Sequence, residues 1–165
     1  MKIISNTLVY GRYQLADVYG NITPELTEKI VNLWQRNSIL PTGLDPVHRV
    51  NEVAVVILDD TQKVVGVSSA YIDYRPRLQE HAFMYRMFIQ PSDRTPTMML
   101  AVLKQTYALL NSLTLANKPA SLMIVTENNK LMRSGMRRQF SRMGFILLGQ
   151  NPQRQDIWRQ PFDLS

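Results

Sequence analysis

Arg94 and the residues after it, Thr95-Pro96-Thr97-Met98-Met99, follow a short polar turn that leaves an apolar run, Phe83–Ile89. The spacing predicts a strand, a tight turn and then a helix beginning at Thr95 or Pro96. The first backbone N–H groups of a helix have no partner within it, so such a junction is suited to an anion. Arg94 adds a fixed planar cation matched to phosphate. Thr95, Pro96, Thr97 and Met98 would supply the amides and hydroxyls around it. The same residues also make an ordinary helix start, with Thr95 as N-cap and Pro96 at the first helical position. Both readings stand at this level.

Two other groups carry chemistry. Tyr85 lies two positions after Phe83, hence on the same strand face, and is a proton donor or a substrate orienter. His81, at the strand start, is a base near neutral pH. Each also has a structural reading, Tyr85 as a core tyrosine and His81 as a solvated loop residue. Lys130, Arg133, Arg137, Arg138 and Arg142 crowd one expected helix that has no acidic residue, and Arg75 and Arg77 lie on a loop. Positions 130, 133 and 137 would share a face, with 138 and 142 beside it. Arg133, Arg137 and Arg138 form a candidate anion patch, for a cofactor phosphate or a nucleic-acid backbone. A solvated charged face is the plain alternative.

Composition narrows the field. The 165 residues fit one domain, 1–165, without linker, repeat or low-complexity tract. Cysteine is absent, which excludes disulfides, thiol nucleophiles and Cys-based metal sites. The two histidines, His48 and His81, are far apart in the chain, so no metal site is expected. No apolar run is long enough to span a membrane, and Met1–Asn6 has no signal-peptide pattern. The expectation is a soluble, cytoplasmic protein. A net charge of +6 favours polyanionic partners.

The elements that must position these groups read in order. Leu8–Val18 is a first strand or a strand with a bend. Thr23-Pro24-Glu25 opens a helix with Leu26, Ile30, Leu33 and Trp34 as its apolar stripe. Asn37–Asn51 is a Pro- and Gly-containing connection. Val53–Leu58, apolar on both faces, is a central strand, followed by Val64–Ile72, a polar loop over 73–79, and Ala82–Ile89. Pro96 to about Leu115 is a long helix. Ala120–Thr126 is a buried strand, Leu131–Met143 a basic helix stopped by Gly144, and 145–148 with 156–159 a last hairpin. This is an α/β fold: a single mixed, mostly antiparallel sheet flanked by helices.

That order, together with two local segments, resembles the GNAT superfamily of acyl-CoA-dependent N-acyltransferases. In the family, a strand leads into Arg/Gln-x-x-Gly-x-Gly/Ala, whose amides hold the CoA pyrophosphate. Here Arg94-Thr95-Pro96-Thr97-Met98-Met99 aligns with it, and Thr97 and Met99 replace the glycines. Thr126-Glu127-Asn128-Asn129 and Phe140-Ser141-Arg142-Met143-Gly144-Phe145 look like the family's strand, asparagine, helix, aromatic-x-x-x-Gly-Phe ending. The resemblance implies acetyl-CoA or another acyl-CoA, held by Met87, Phe88, Ile89, Arg94–Met98 and Asn129. The acceptor would be a small-molecule or peptide amine. Tyr85 or His81 would handle the proton, because the family's general-acid tyrosine falls on Phe140 and its strand carboxylate on Phe83. Met99 is expected to face the core. Two other readings accompany this one, a nucleic-acid-associated or DNA-modifying GNAT-like protein and a non-catalytic scaffold that has lost the chemistry.

Overall fold

The computed structural model describes residues 7–40, 43 and 45–163, so the readings of Met1–Asn6 and Pro41 lie outside the described residues. The strands are β1 (Thr7–Tyr10), β2 (Tyr13–Asp17), β3 (Val53–Leu58), β4 (Val64–Arg75), β5 (Glu80–Ile89), β6 (Ser121–Val125), β7 (Ile146–Gln150) and β8 (Asp156–Pro161). The helices are α1 (Pro24–Arg36), α2 (Pro46–Val50), α3 (Pro96–Ser112) and α4 (Ser134–Arg142). The strands form one mixed sheet in the order β1-β2-β3-β4-β5-β6-β8-β7. The β5–β6 pair is parallel and covers two residue pairs, Phe83↔Leu122 and Met84↔Met123. Along β5, Ala82–Met84 are buried, whereas Tyr85–Phe88 are only half-buried.

The chain packs as two compact units, Met1–Ala70 with Met87–Leu109, and Tyr71–Arg86 with Leu110–Ser165. In the first, the strand period of two sorts the core onto two sheet faces. Ala16, Val18, Val56, Leu58, Val64 and Val67 meet the α1 stripe of Leu26, Ile30, Leu33 and Trp34. Leu15, Val55, Ile57, Val65 and Ile89 meet Met98 and Val102 of α3. All six residues of β3 are therefore buried, and its apolar run has no polar alternation. In the second unit, Phe140 of α4 packs on Phe145 and Trp158, and Phe83 on Phe162.

The structure corrects several boundaries. Leu8–Val18 is two strands in a hairpin, because Gly11 adopts φ 58° and turns the chain. The segment read as a connection contains α2, where Asp45 caps Val47 N–H and Pro46 opens the helix. β4 runs on to Arg75, and α3 ends at Ser112. The basic helix is broken. Asn128 caps a 3-10 turn, Asn129–Met132, and Arg133 is extended before α4 begins. Lys130 and Arg133 are therefore not on α4, and the shared face expected for positions 130, 133 and 137 does not form.

Gly66 in β4 faces a crowded spot. A methyl there would lie 2.8 Å from Ile57 Cδ1 and 3.0 Å from the Phe88 carbonyl oxygen. Backbone cannot yield as a side-chain tip can. Gly66→Ala should destabilise the protein by about 1–3 kcal/mol through overpacking, read as a lowered urea midpoint.

Candidate functional site

The junction read first in the sequence forms a 3-10 turn, Pro91–Asp93, leading into α3. Thr95 Oγ1 accepts from Met98 N–H at 3.2 Å, which makes Thr95 the N-cap. Arg94 N–H bonds Pro91 O, and Met99 N–H bonds Thr95 O. Pro96 has no N–H. The amides of Thr95 and Thr97 have no partner among the described residues. Tyr10 OH donates to Thr97 Oγ1 at 2.5 Å, and Thr97 Oγ1 lies 3.4 Å from Thr95 Oγ1, a contact in which either hydroxyl can donate. The loop therefore presents two amides, donors that fit a phosphate. Met98 is buried, and Met99 packs against the same core, as expected of a side chain turned from the loop.

Arg94 is exposed, but its side chain folds back. Nε and one terminal nitrogen donate to Ile89 O at 3.1 and 2.7 Å, and the guanidinium lies 5.9 Å from the Phe88 ring centroid. One terminal NH2 stays open to a ligand.

The loop is held by Asp93, which sequence reasoning passed over. Its carboxylate is 7% exposed and accepts from four side chains. Tyr13 OH (2.5 Å) and Arg12 (3.1 Å) reach Oδ1, while Gln90 Nε2 (2.5 Å) and Ser92 Oγ (3.2 Å) reach Oδ2. Gln90 is itself fixed by Arg36, which donates to its Oε1 at 3.2 Å and to Val64 O at 2.6 Å. Burial pushes the Asp93 carboxyl up, but the bonds from Tyr13, Gln90 and Ser92 and the Arg12 charge outweigh it and hold the group below the usual carboxylate range. The bond to Asp93 pushes the Tyr13 phenol up. Tyr10, Arg12 and Tyr13 lie about 80 positions earlier in the chain. The local signal that could have found them is a tyrosine on each side of the Gly11–Arg12 turn.

The remaining predicted residues lie as follows. Met87 and Phe88 are half-buried and Ile89 is buried. Tyr85 is half-buried and shares its strand face with Phe83. His81 is exposed and stacks on Tyr74, ring centroids 5.1 Å apart. Asn129 is exposed in the 3-10 turn, and the capping side chain there is that of Asn128, which accepts from Lys130 N–H. Arg133 and Arg138 are exposed. Arg137 instead makes a two-pronged bond, 2.8 Å on each arm, to the fully buried Asp156. Burial pushes the Asp156 carboxyl up, but Arg137 and Gln150 outweigh that and hold it low.

No protein-family model and no curated protein matches the sequence. Solved structures do. A GNAT-family acetyltransferase from Listeria monocytogenes aligns over 95% of this chain and 100% of its own, at 12% identity and TM-score 0.62. A ribosomal-protein-S5-alanine acetyltransferase from Vibrio fischeri aligns over 95% and 96%, at 14% and 0.58. A GNAT-superfamily phosphinothricin acetyltransferase from Sinorhizobium meliloti, solved with AcCoA, aligns over 92% and 89%, at 15% and 0.57. The chain has the GNAT acetyltransferase fold. At the two GNAT positions where the resemblance puts an acid and a base, Phe140 and Phe83 are core residues, 4% and 0% exposed.

Asp93 gives a test of the loop. Asp93→Asn should cost about 1–3 kcal/mol at neutral pH, the scale of hydrogen bonds to a charged group. Because the folded-state pKa is lowered, the stabilisation is present above the usual carboxylate value of about 4 and is lost as pH falls through the folded value. Urea unfolding should therefore separate parent and variant at neutral pH, and the gap should close in acid.

Proposed function

We propose that the protein is an acyl-CoA-dependent N-acyltransferase, with a small-molecule or peptide amine as acceptor. The observation that carries the reading is the capped loop at the start of α3. Within a GNAT fold, it offers the Thr95 and Thr97 amides at a helix N-terminus. Acyl-CoA, when bound, supplies an activated thioester. The pyrophosphate would lie against residues 94–98, with Arg94 contributing its open NH2. Met87, Phe88 and Ile89 would offer backbone groups to an extended pantetheine arm, and Asn129 would contribute beyond β6. A strand amide near Phe88 would polarise the carbonyl under attack. The acceptor amine attacks directly and loses one proton, taken by water, Tyr85 or His81. Phe83 and Phe140 cannot exchange protons. A cytoplasmic location accords with these substrates.

The non-catalytic reading has one specific observation in its favour, the burial of phenylalanine at both acid–base positions. The protein's lack of cysteine gives a clean assay, since free thiol released from acetyl-CoA has no protein background. Amine-dependent thiol release supports the enzyme, and CoA binding without turnover across an amine panel supports the scaffold. Calorimetry supplies a further check. Arg94→Ala should weaken CoA binding by roughly 1–3 kcal/mol, the loss of one charge-assisted bond to phosphate, and unchanged affinity would remove Arg94 from the site.

A further inference from the structure

The net charge of the protein is confined to one unit. Met1–Ala70 with Met87–Leu109 holds eight Lys/Arg and eight Asp/Glu, whereas Tyr71–Arg86 with Leu110–Ser165 holds eleven against five. The second unit therefore carries the whole +6. Three of its five carboxylates are already neutralised, Asp73 by Arg75, Glu80 by Arg159 and Asp156 by Arg137.

Five of the remaining cations gather around α4. Lys130 and Arg133 precede the helix, Arg138 and Arg142 stand one turn apart on it, and Arg154 is in the β7–β8 turn. The Arg137–Asp156 bond ties α4 to the start of β8, two residues beyond Arg154. All five are exposed, and none pairs with a carboxylate among the described residues. Every exposed residue of α4 is Ser, Gly or Arg. Its large apolar residue, Phe140, is packed inward.

We infer that this face binds the phosphate backbone of nucleic acid. Two of the cations stand on α4, Lys130 and Arg133 precede it and Arg154 lies in the β7–β8 turn, so they are spread over three segments rather than carried by one point of the chain. That spacing suits a row of phosphates better than a single anion. Four of the five are arginine, whose planar fork bonds a phosphate with two parallel N–H groups. Ser134, Gly135 and Ser141 let a backbone approach closely, and their short side chains do not obstruct the arginines. An anionic lipid surface is disfavoured on α4, which exposes no apolar side chain to insert. The contacts are to phosphate, so recognition is independent of sequence. Arg137, held by Asp156, orients the helix and does not contact the ligand.

The test is fluorescence anisotropy with a labelled DNA duplex of arbitrary sequence, titrated over a salt series. The expected result is binding that weakens by roughly a hundredfold or more between about 50 and 200 mM salt. The triple variant R133Q/R138Q/R142Q should lower the log–log salt slope by about 3, while R133K/R138K/R142K keeps it. The lysine variant separates lost contacts from a lost fold. No binding at low salt, an unchanged slope in the glutamine variant, or binding only to phosphatidylserine vesicles would overturn the inference. So would displacement of the duplex by stoichiometric CoA, which would assign the cations to the nucleotide's own phosphates.

Discussion

The candidate site rests on one buried carboxylate. Asp93 collects Tyr13 and Arg12 from the first hairpin, Ser92 from its own turn, and Gln90, which Arg36 of α1 holds in place. An unpaired charge at that depth would be costly to bury. With four donors it is stable, and the turn between β5 and α3 is fixed on both sides. The carboxylate lies next to the loop proposed to hold an anion, which would be self-defeating if its charge were free. Its donors absorb that charge internally, and the Thr95 and Thr97 N–H groups, without partners among the described residues, follow on a turn tied by four bonds. Tyr10, from the same hairpin, then orients the Thr97 hydroxyl. Rigid placement is what a phosphate cradle without glycine needs. Thr97 cannot offer the close backbone approach that glycine permits, so the donors must already be aimed.

This arrangement explains which parts of the fold were legible in the sequence. β3 and β6 were readable because burial on both faces leaves a continuous apolar run, and β5 because its buried part, Ala82–Met84, and Met87–Ile89 are apolar. α1 was readable because Thr23 and Pro24 mark its start and its stripe repeats at helical spacing. A like signal, a capping Asp45 before Pro46, stood before α2, but a five-residue helix carries too little periodicity to register. The β1–β2 hairpin was hidden because only the two residues Gly11-Arg12 separate its strands, and neither strand shows a clear buried–exposed alternation. The basic helix misled because side-chain charge says nothing of backbone conformation. Its break comes from Asn128, which satisfies a local turn before α4 can begin.

The site was legible only as far as local chemistry reaches. Thr95 as cap and Pro96 at the first helical position are contacts within three residues. The Asp93 network joins residues about 80 positions apart, and no spacing rule links Tyr13 to Asp93. Arginine shows the limit most clearly. Arg94 bonds the carbonyl of Ile89, Arg137 neutralises Asp156, and Arg159 pairs with Glu80. In the sequence these three are indistinguishable from Arg138 and Arg142, which make no such bond. Charge is countable from composition, but availability depends on which carboxylates and carbonyls the fold brings within reach.

That distinction gives the charge partition its meaning. A uniformly basic protein would spread weak fields over its surface, screened beyond about 8 Å at physiological salt. Here one unit is neutral, and its cations serve structure: Arg12 and Arg36 secure the Asp93 network, and Arg94 closes the end of β5. The other unit keeps five cations without carboxylate partners among the described residues, on α4 and the segments beside it, while its bonded arginine, Arg137, ties α4 to β8. Exposed cations that contribute little to stability are not required by the fold. Like charges set this close repel, so the cluster carries a cost that an anionic ligand would relieve. The two proposals thus rest on different units: the anion loop on the first, and the extended-anion surface on the second.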